Sequence, residues 1–113
     1  MFNGIHVVLF SRDAEADRAV FRDLLGFDNI DVGGGWLCFA MPPAEAAFHP
    51  DETGGKHELY FTCEDVAATR ATLEGKGLTC SEVTDEGWGL LSHFTLPGGG
   101  KVGFYQPRHE TIF

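Results

Sequence analysis

The first half of the chain combines a strand-like apolar run with a helix-like apolar stripe. Alternate residues of Ile5–Phe10 share one face of a predicted strand, so that His6 and Val8 lie on the same side. Apolar residues then recur at helical spacing as far as Gly26, which stands where helices commonly end in a left-handed conformation. Glycine and proline turns separate three further predicted strands, Asn29–Val32, Trp36–Met41 and Ala44–His49. The order of elements in this half is therefore βαβββ.

The second half of the chain repeats this order. His57 leads a β-rich run 51 residues after His6, and an acidic helix start and a glycine helix end follow in both halves. Trp36 and Trp88 nearly correspond in the same way. The predicted strands of this half are His57–Thr62, Thr79–Val83, Leu90–Leu96 and Val102–Gln106. An ordered series of matches at one offset predicts a duplicated unit.

The predicted fold class is α+β, with two tandem βαβββ units forming a cupped mixed sheet and the helices outside. We assign residues 1–50 to the first unit and 56–108 to the second, within a single domain that spans 1–113. Neither unit is expected to fold alone, because about 50 residues bury too little surface. A strand that is apolar on both faces can meet its helix on one side and line a concave surface on the other. Such a cup is a natural site for a small molecule.

Composition and charge narrow the classes of function. The net charge of −9 disfavours nucleic acid and anionic lipid as partners, since both need a basic footprint. No apolar run approaches the ~18 residues of a membrane span, and the N-terminus lacks the pattern of a signal peptide, so we expect a cytoplasmic protein. Cys38, Cys63 and Cys80 have no C-x-x-C spacing and are expected to be reduced thiols.

Two motifs resemble those of a known protein family. The stretch Phe21–Phe27 reads FRDLLGF and is like the family's F-Y-x-x-x-L-G-F, and Leu96–Pro107 is like its D-P-x-G-N-x-x-E-L-x-x-P ending. With the histidine-led first strands, they resemble the vicinal oxygen chelate superfamily, which includes glyoxalase I, bleomycin-resistance proteins, fosfomycin-resistance enzymes and extradiol dioxygenases. The resemblance implies a small-molecule ligand, a homodimer and, in members with metal chemistry, a divalent metal ion as cofactor.

The resemblance also implies positions for metal ligands. A typical set is a histidine from each first strand and a glutamate on the last strand, which fall on His6, His57 and Gly103. Glycine has no donor atom, and catalytic metals generally have three protein ligands, so this set is incomplete. Glu45 and His49, near the last strand of the first unit, are candidates for the third ligand by topology.

Two further polar residues lie near these positions in the sequence. His93, on a predicted strand of the second unit, is another candidate ligand. Glu58 directly follows His57, so strand alternation points it to the opposite face, and we do not assign it to the site.

Aromatic residues near the predicted cup are the candidates for contact with a ligand: Trp36, Phe48, Trp88, Phe94 and Tyr105. The sequence therefore favours a glyoxalase- or bleomycin-resistance-like small-molecule-binding protein without a complete metal site. Two alternatives stay open. One is a metal-dependent lyase, isomerase or dioxygenase acting on a small substrate with vicinal oxygens, and the other is a structural or partner-binding domain. The residues do not decide whether the chain is an enzyme.

Overall fold

Each helix is followed by three strands in the computed structural model, which describes Met1 and residues 3–113. The elements in chain order are α1 (Ala14–Ala19, continued by a π-helical turn over Val20–Leu24), β1 (Asn29–Asp31), β2 (Leu37–Phe39), β3 (Tyr60–Thr62), α2 (Val66–Gly75), β4 (Thr84–Asp85), β5 (Gly89–Thr95) and β6 (Lys101–Pro107). Strands β1 and β2 form an antiparallel pair, and the other four form a second sheet in the order β3-β6-β5-β4. The α+β class predicted from the sequence is confirmed.

Both helices begin at an aspartate. The Asp13 carboxylate accepts a hydrogen bond from the amide of Ala16 at 3.1 Å, and Asp65 accepts one from Ala68 at 3.1 Å. These bonds satisfy amides that have no partner within the first helical turn. After α2 the chain turns at Gly77, whose φ of +95° is open to glycine and costly for other residues. Neither helix of the described residues has the length and apolarity that a bilayer crossing requires.

The four-stranded sheet is mixed. Strand β3 runs parallel to β6, whereas β5 is antiparallel to both of its neighbours. The first strand of the second unit therefore lies beside the last one, an arrangement that the α2 crossover makes possible. The predicted strand Thr79–Val83 is reduced to one bridge between Cys80 and Phe94. Ser81 follows Cys80 directly, and its carbonyl oxygen accepts a hydrogen bond from the Ser92 hydroxyl at 2.8 Å. This bond satisfies the oxygen without a further backbone pair.

The first unit is less regular than the sequence predicts. Residues 5–10 and 44–49, both predicted as strands, form none. In the described part of the chain, residues 3–10 make no backbone–backbone hydrogen bond, and Phe10 is 94% exposed. An alternating apolar pattern gives a segment the side chains of a strand, but a strand forms only where a neighbouring strand pairs its amides and carbonyls.

One apolar core joins the two units. The ring of Phe21, from the π-helical turn, lies 5.6 Å from Phe27, 5.5 Å from Phe39 and 6.2 Å from Phe61, measured between ring centroids. Such edge-on and tilted pairs are favourable aromatic contacts. The buried core residues are Val20, Phe21, Val66, Leu73, Leu78, Cys80, Phe94, Leu96, Val102 and Phe104. Because residues from both units pack in this cluster, each unit helps to bury the other.

Candidate ligand-binding site

The side of the four-stranded sheet that faces away from the core carries the candidate site. Val102 and Phe104 of β6 are buried in the core, so Gly103 between them faces the opposite side. In the sheet register, Gly103 pairs with Tyr60 on β3 and with His93 on β5. Tyr60, Gly103 and His93 therefore lie side by side on three neighbouring strands, and we call them the cross-strand row.

The ring of Tyr60 fills the space that a side chain at Gly103 would need. A Cβ atom added to Gly103 would come within 2.5 Å of Tyr60 Cε1 and closer still to Cδ1. Non-bonded carbon atoms pack at about 3.5–4.0 Å, so any other residue at this position must displace the ring. The glycine therefore allows Tyr60 to lie against the sheet.

A hydrogen bond holds the hydroxyl group of Tyr60, which donates to Glu58 Oε2. Partial burial, followed by this hydrogen bond, raises the pKa of Tyr60 to about 12. The same bond holds the pKa of the Glu58 carboxyl below its ordinary value. At neutral pH the site therefore contains a neutral phenol beside an ionised carboxylate, whose other oxygen lies 3.5 Å from Lys56 Nζ.

Three aromatic rings pack around one corner of this face. Trp88 and Tyr105 have centroids 5.0 Å apart and planes at 89°, and Tyr60 lies 6.4 Å from Trp88 and 6.1 Å from Tyr105, again nearly perpendicular. The hydroxyl of Tyr105 lies 3.0 Å from His109 Nε2, and burial raises the pKa of this tyrosine. The three rings therefore restrain one another's orientation.

A cleft of about 620 Å³ opens beside the cross-strand row. One part of its lining is the N-terminal segment 7–10, and the other is the sheet with the residues just before β3. The ionisable side chains among the lining residues are His57, Glu58, Tyr60, His93 and Lys101. An apolar wall with a few convergent polar groups, in a volume of roughly 300–1,000 Å³, is typical of small-molecule sites.

The chain is similar to several solved protein structures. No protein-family model matches the chain, and no curated protein sequence matches it. TnmS3, an antibiotic-binding protein from Streptomyces sp. CB03234, is 27% identical with a TM-score of 0.64, over 95% of this chain and 99% of that one. A glyoxalase/bleomycin resistance protein from the same source is 26% identical with a TM-score of 0.57, over 83% and 91%. Lactoylglutathione lyase from Agrobacterium tumefaciens has a TM-score of 0.67 over 92% of both chains, and at 16% identity it shows the fold alone.

The chain shares its fold with these glyoxalase/bleomycin-resistance-like proteins. The resemblance predicted from its motifs is thereby confirmed. The resemblance to the vicinal oxygen chelate superfamily implies a glutamate ligand, in members with metal chemistry, at the position that Gly103 takes here. The structure adds that the space above this glycine belongs to Tyr60.

The metal ligands that the resemblance predicts lie in different surroundings. His57 lines the cleft, whereas His6 is exposed on the irregular N-terminal segment. The Glu45 carboxylate accepts a hydrogen bond from the backbone amide of Ile112 at 3.2 Å. His49 Nδ1 lies 2.7 Å from the carbonyl oxygen of the next residue. Among Met1 and residues 3–113, no three histidine, cysteine, aspartate or glutamate side chains are grouped to hold a metal ion. These residues therefore do not fit the superfamily's metal position.

The predicted aromatic contacts fall into four places. Trp88 and Tyr105 lie together beside Tyr60, as described above. Trp36 lies near the first helix, where the guanidinium carbon of Arg18 is 5.0 Å from its ring centroid. Phe48 is 99% exposed on the segment without regular structure. Phe94 is 1% exposed in the core, because strand alternation turns it away from the cup, so it does not line the cleft.

Glu58 and Tyr60, which line the cleft, are not among the site residues predicted from the sequence. Glu58 and Tyr60 share one face, since they are two residues apart, and Tyr60 pairs with Gly103. The expectation that Glu58 faces away from the site is therefore wrong, because its hydrogen bond to Tyr60 brings it into the lining. The available signal was the missing side chain at residue 103, which calls for a large neighbour to fill the space.

Proposed function

We propose that this protein binds a small organic molecule and does so without a metal ion of its own. The observation that supports the proposal is the Tyr60 ring over Gly103, the residue at which the resemblance implies a glutamate ligand. A metal ion needs donor atoms that converge on one point, and this position offers a hydrocarbon ring instead. The cleft beside it has the volume and the mixed lining of a small-molecule site.

An antibiotic-like molecule is the ligand class that the comparisons favour. TnmS3, described as an antibiotic-binding protein, and a glyoxalase/bleomycin resistance protein both share the fold, at 27% and 26% identity. Protection by binding requires affinity for the ligand but no catalysed reaction. We therefore expect sequestration of the ligand rather than its conversion.

Metal content tests the first part of the proposal. The protein is purified without chelator from a medium that contains manganese, iron, nickel and zinc, and its bound metal is measured by mass spectrometry. We expect far less than one ion per chain. A stoichiometric ion that is lost in His57→Ala would contradict the proposal and favour a metal-dependent lyase, isomerase or dioxygenase instead.

Ligand binding tests the second part, with bleomycin as the probe. Titration is followed by tryptophan fluorescence in a Trp36→Phe background, which leaves Trp88 beside the cleft as the reporter. We expect a saturable change that Tyr60→Leu weakens. A fluorescence change that fails to saturate counts against a bleomycin-like ligand in this cleft. So does a change of equal size in a Trp88→Phe protein, in which Trp36 is the reporter.

We also propose that the working form is a homodimer. Ile5, Phe10 and Phe48 are 78%, 94% and 99% exposed, and monomeric proteins seldom leave such apolar segments open. The unpaired backbone of residues 3–10 offers hydrogen bonds to a second copy. Light scattering after gel filtration should give about twice the chain mass of 12.3 kDa. Phe48→Asp should shift the population toward monomer, and a parent protein that is monomeric at high concentration would contradict the proposal.

The thiols support a reducing compartment, the cytoplasm, for this protein. Cys38, Cys63 and Cys80 are all free, and Cys80 is buried. Freshly isolated and denatured protein should therefore give three reactive thiols per chain, whereas fewer would indicate an oxidised pair.

A further inference from the structure

We propose that Tyr60 selects planar aromatic ligands that carry a hydrogen-bond donor, such as an amidinium group, and that Gly103 is the residue that makes this possible. The inference rests on the proposed function and names the class of ligand for the same cleft. It has two parts, an aromatic surface and a hydrogen-bond acceptor at the edge of that surface.

The aromatic surface is the ring of Tyr60, which is half-buried and lines the cleft. Gly103 lets the ring lie against the sheet, and Trp88 and Tyr105 meet it at 83° and 85°. A ring held by such near-perpendicular neighbours has little freedom left to lose when a ligand stacks on it. Because aromatic rings gain affinity from offset stacking, a planar ligand is favoured over a puckered one.

The acceptor is Glu58, at the hydroxyl end of the same ring. Its Oε2 accepts the Tyr60 hydroxyl, while its Oε1 lies 3.5 Å from the Lys56 ammonium, on a side chain that is 69% exposed. Such a loose surface ion pair is weak and can be exchanged for a ligand. A carboxylate prefers charged N–H donors, and planar donors in a fork bind it with two bonds.

The two parts together specify a planar cation. A positive group near an aromatic face gains a cation–π contribution, and the net charge of −9 attracts cations to the whole surface. An anionic ring would be repelled by the Glu58 carboxylate and would have no N–H or O–H group to donate to it. An alkyl cation would satisfy Glu58 and leave the Tyr60 face unused.

Three matched probes separate these contributions. Benzamidine has the ring and the donors, cyclohexanecarboxamidine has the donors without the aromatic face, and benzoate has the ring without donors. Each is titrated into ¹⁵N-labelled protein, and the backbone amides of Tyr60, His93 and Gly103 are followed by NMR, which detects weak binding. We expect benzamidine to bind roughly 3- to 10-fold more tightly than cyclohexanecarboxamidine, and benzoate to shift these amides least.

Four variants assign the effect to named residues. Tyr60→Leu should reduce benzamidine affinity about 3- to 10-fold through loss of the aromatic face, and Glu58→Gln about 10-fold through loss of the charged acceptor. Gly103→Ala should weaken benzamidine as Tyr60→Leu does, because the new methyl group displaces the ring. Gly75→Ala, a glycine on α2 with open space around it, is the matched control and should leave the affinity unchanged.

Several results overturn the inference. They are equal affinity for benzamidine and cyclohexanecarboxamidine, undiminished benzamidine binding in a folded Tyr60→Leu protein, or the absence of benzamidine shifts at the three amides. Should Gly103→Ala fail to fold, Tyr60→Leu and Glu58→Gln still decide the matter. These results leave the proposed metal-independent binding intact, since that depends on metal content, whereas a stoichiometric ion in the isolated protein removes the proposed function itself.

Discussion

The phenol of Tyr60 can be titrated without interference, because the chain has only two tyrosines. In a Tyr105→Phe protein, alkaline titration followed by tyrosinate absorbance reports Tyr60 alone. The structure raises its pKa from 10.0 to about 12, first through burial, which disfavours the phenolate, and then through the hydrogen bond to Glu58. Adding Glu58→Gln removes the negative charge beside the phenol, so the pKa should fall back toward its ordinary value.

The raised pKa also predicts a loss of stability in alkali. The unfolded chain releases the Tyr60 proton near pH 10.0, and the folded chain holds it to about pH 12. The stabilisation is therefore complete below pH 10 and is lost as the pH rises toward 12. Two pKa units correspond to about 2.7 kcal/mol, but Tyr60 is only half-buried, so we expect about 1 kcal/mol after solvent screening. Urea unfolding of the parent and of Tyr60→Phe, which cannot ionise, measures this difference across that pH range.

Two results would refute this reasoning. One is a Tyr105→Phe protein whose remaining tyrosine titrates near pH 10, which would mean that the ring is not buried over Gly103. The other is an unchanged titration in Glu58→Gln, which would mean that the hydrogen bond is absent. Glu86→Gln is the matched control, because Glu86 acts on Tyr60 only through space and is the smallest of its causes, so its removal should shift the titration little.

Three further substitutions test the packing that supports the site. Gly98→Ala would place a Cβ within 2.6 Å of Asp17 Oδ2, and we expect the free energy of unfolding in urea to fall by about 1–3 kcal/mol. Gly100→Ala, with open space around it, should lower this free energy much less. Equal losses in the two variants would contradict the contact with Asp17. Phe94→Ala, in the core, should cost about 3–5 kcal/mol by the same assay, and a loss under about 1 kcal/mol would show that it is not buried. Asp65→Ala removes the cap of α2 and should cost about 1 kcal/mol, visible as a lower thermal midpoint, whereas Asp65→Asn should retain most of the stability.

The second unit was the easier half to predict from the sequence. Its strands lie beside one another in a sheet of four, so the alternation of Leu90–Leu96 and Val102–Gln106 corresponds to strands β5 and β6. In the first unit, the similar alternation of Ile5–Phe10 has no paired neighbour and gives no strand. Side-chain pattern is a local property, whereas a strand depends on a partner that the pattern does not specify.

The position of the site was predictable from the sequence, whereas the residues that form it were less so. The repeat singled out His57 and the family resemblance singled out residue 103, and both residues line the cleft. The identity of the residue that covers Gly103 depends on the parallel register between β3 and β6, which sets Tyr60 rather than His57 opposite the glycine. Register is fixed by packing between distant segments, so one chain read by itself does not reveal it.

The alternation of β6 separates two kinds of residue along a single strand. Val102 and Phe104 are held by the apolar interior on one side, and Gly103 and Tyr105 belong to the opposite surface. A backbone layer stands between the two sets, so a change of chemistry on the outer surface leaves the interior contacts in place. A fold built this way can carry a tyrosine-covered glycine on its outer surface while the framework that keeps it folded stays the same.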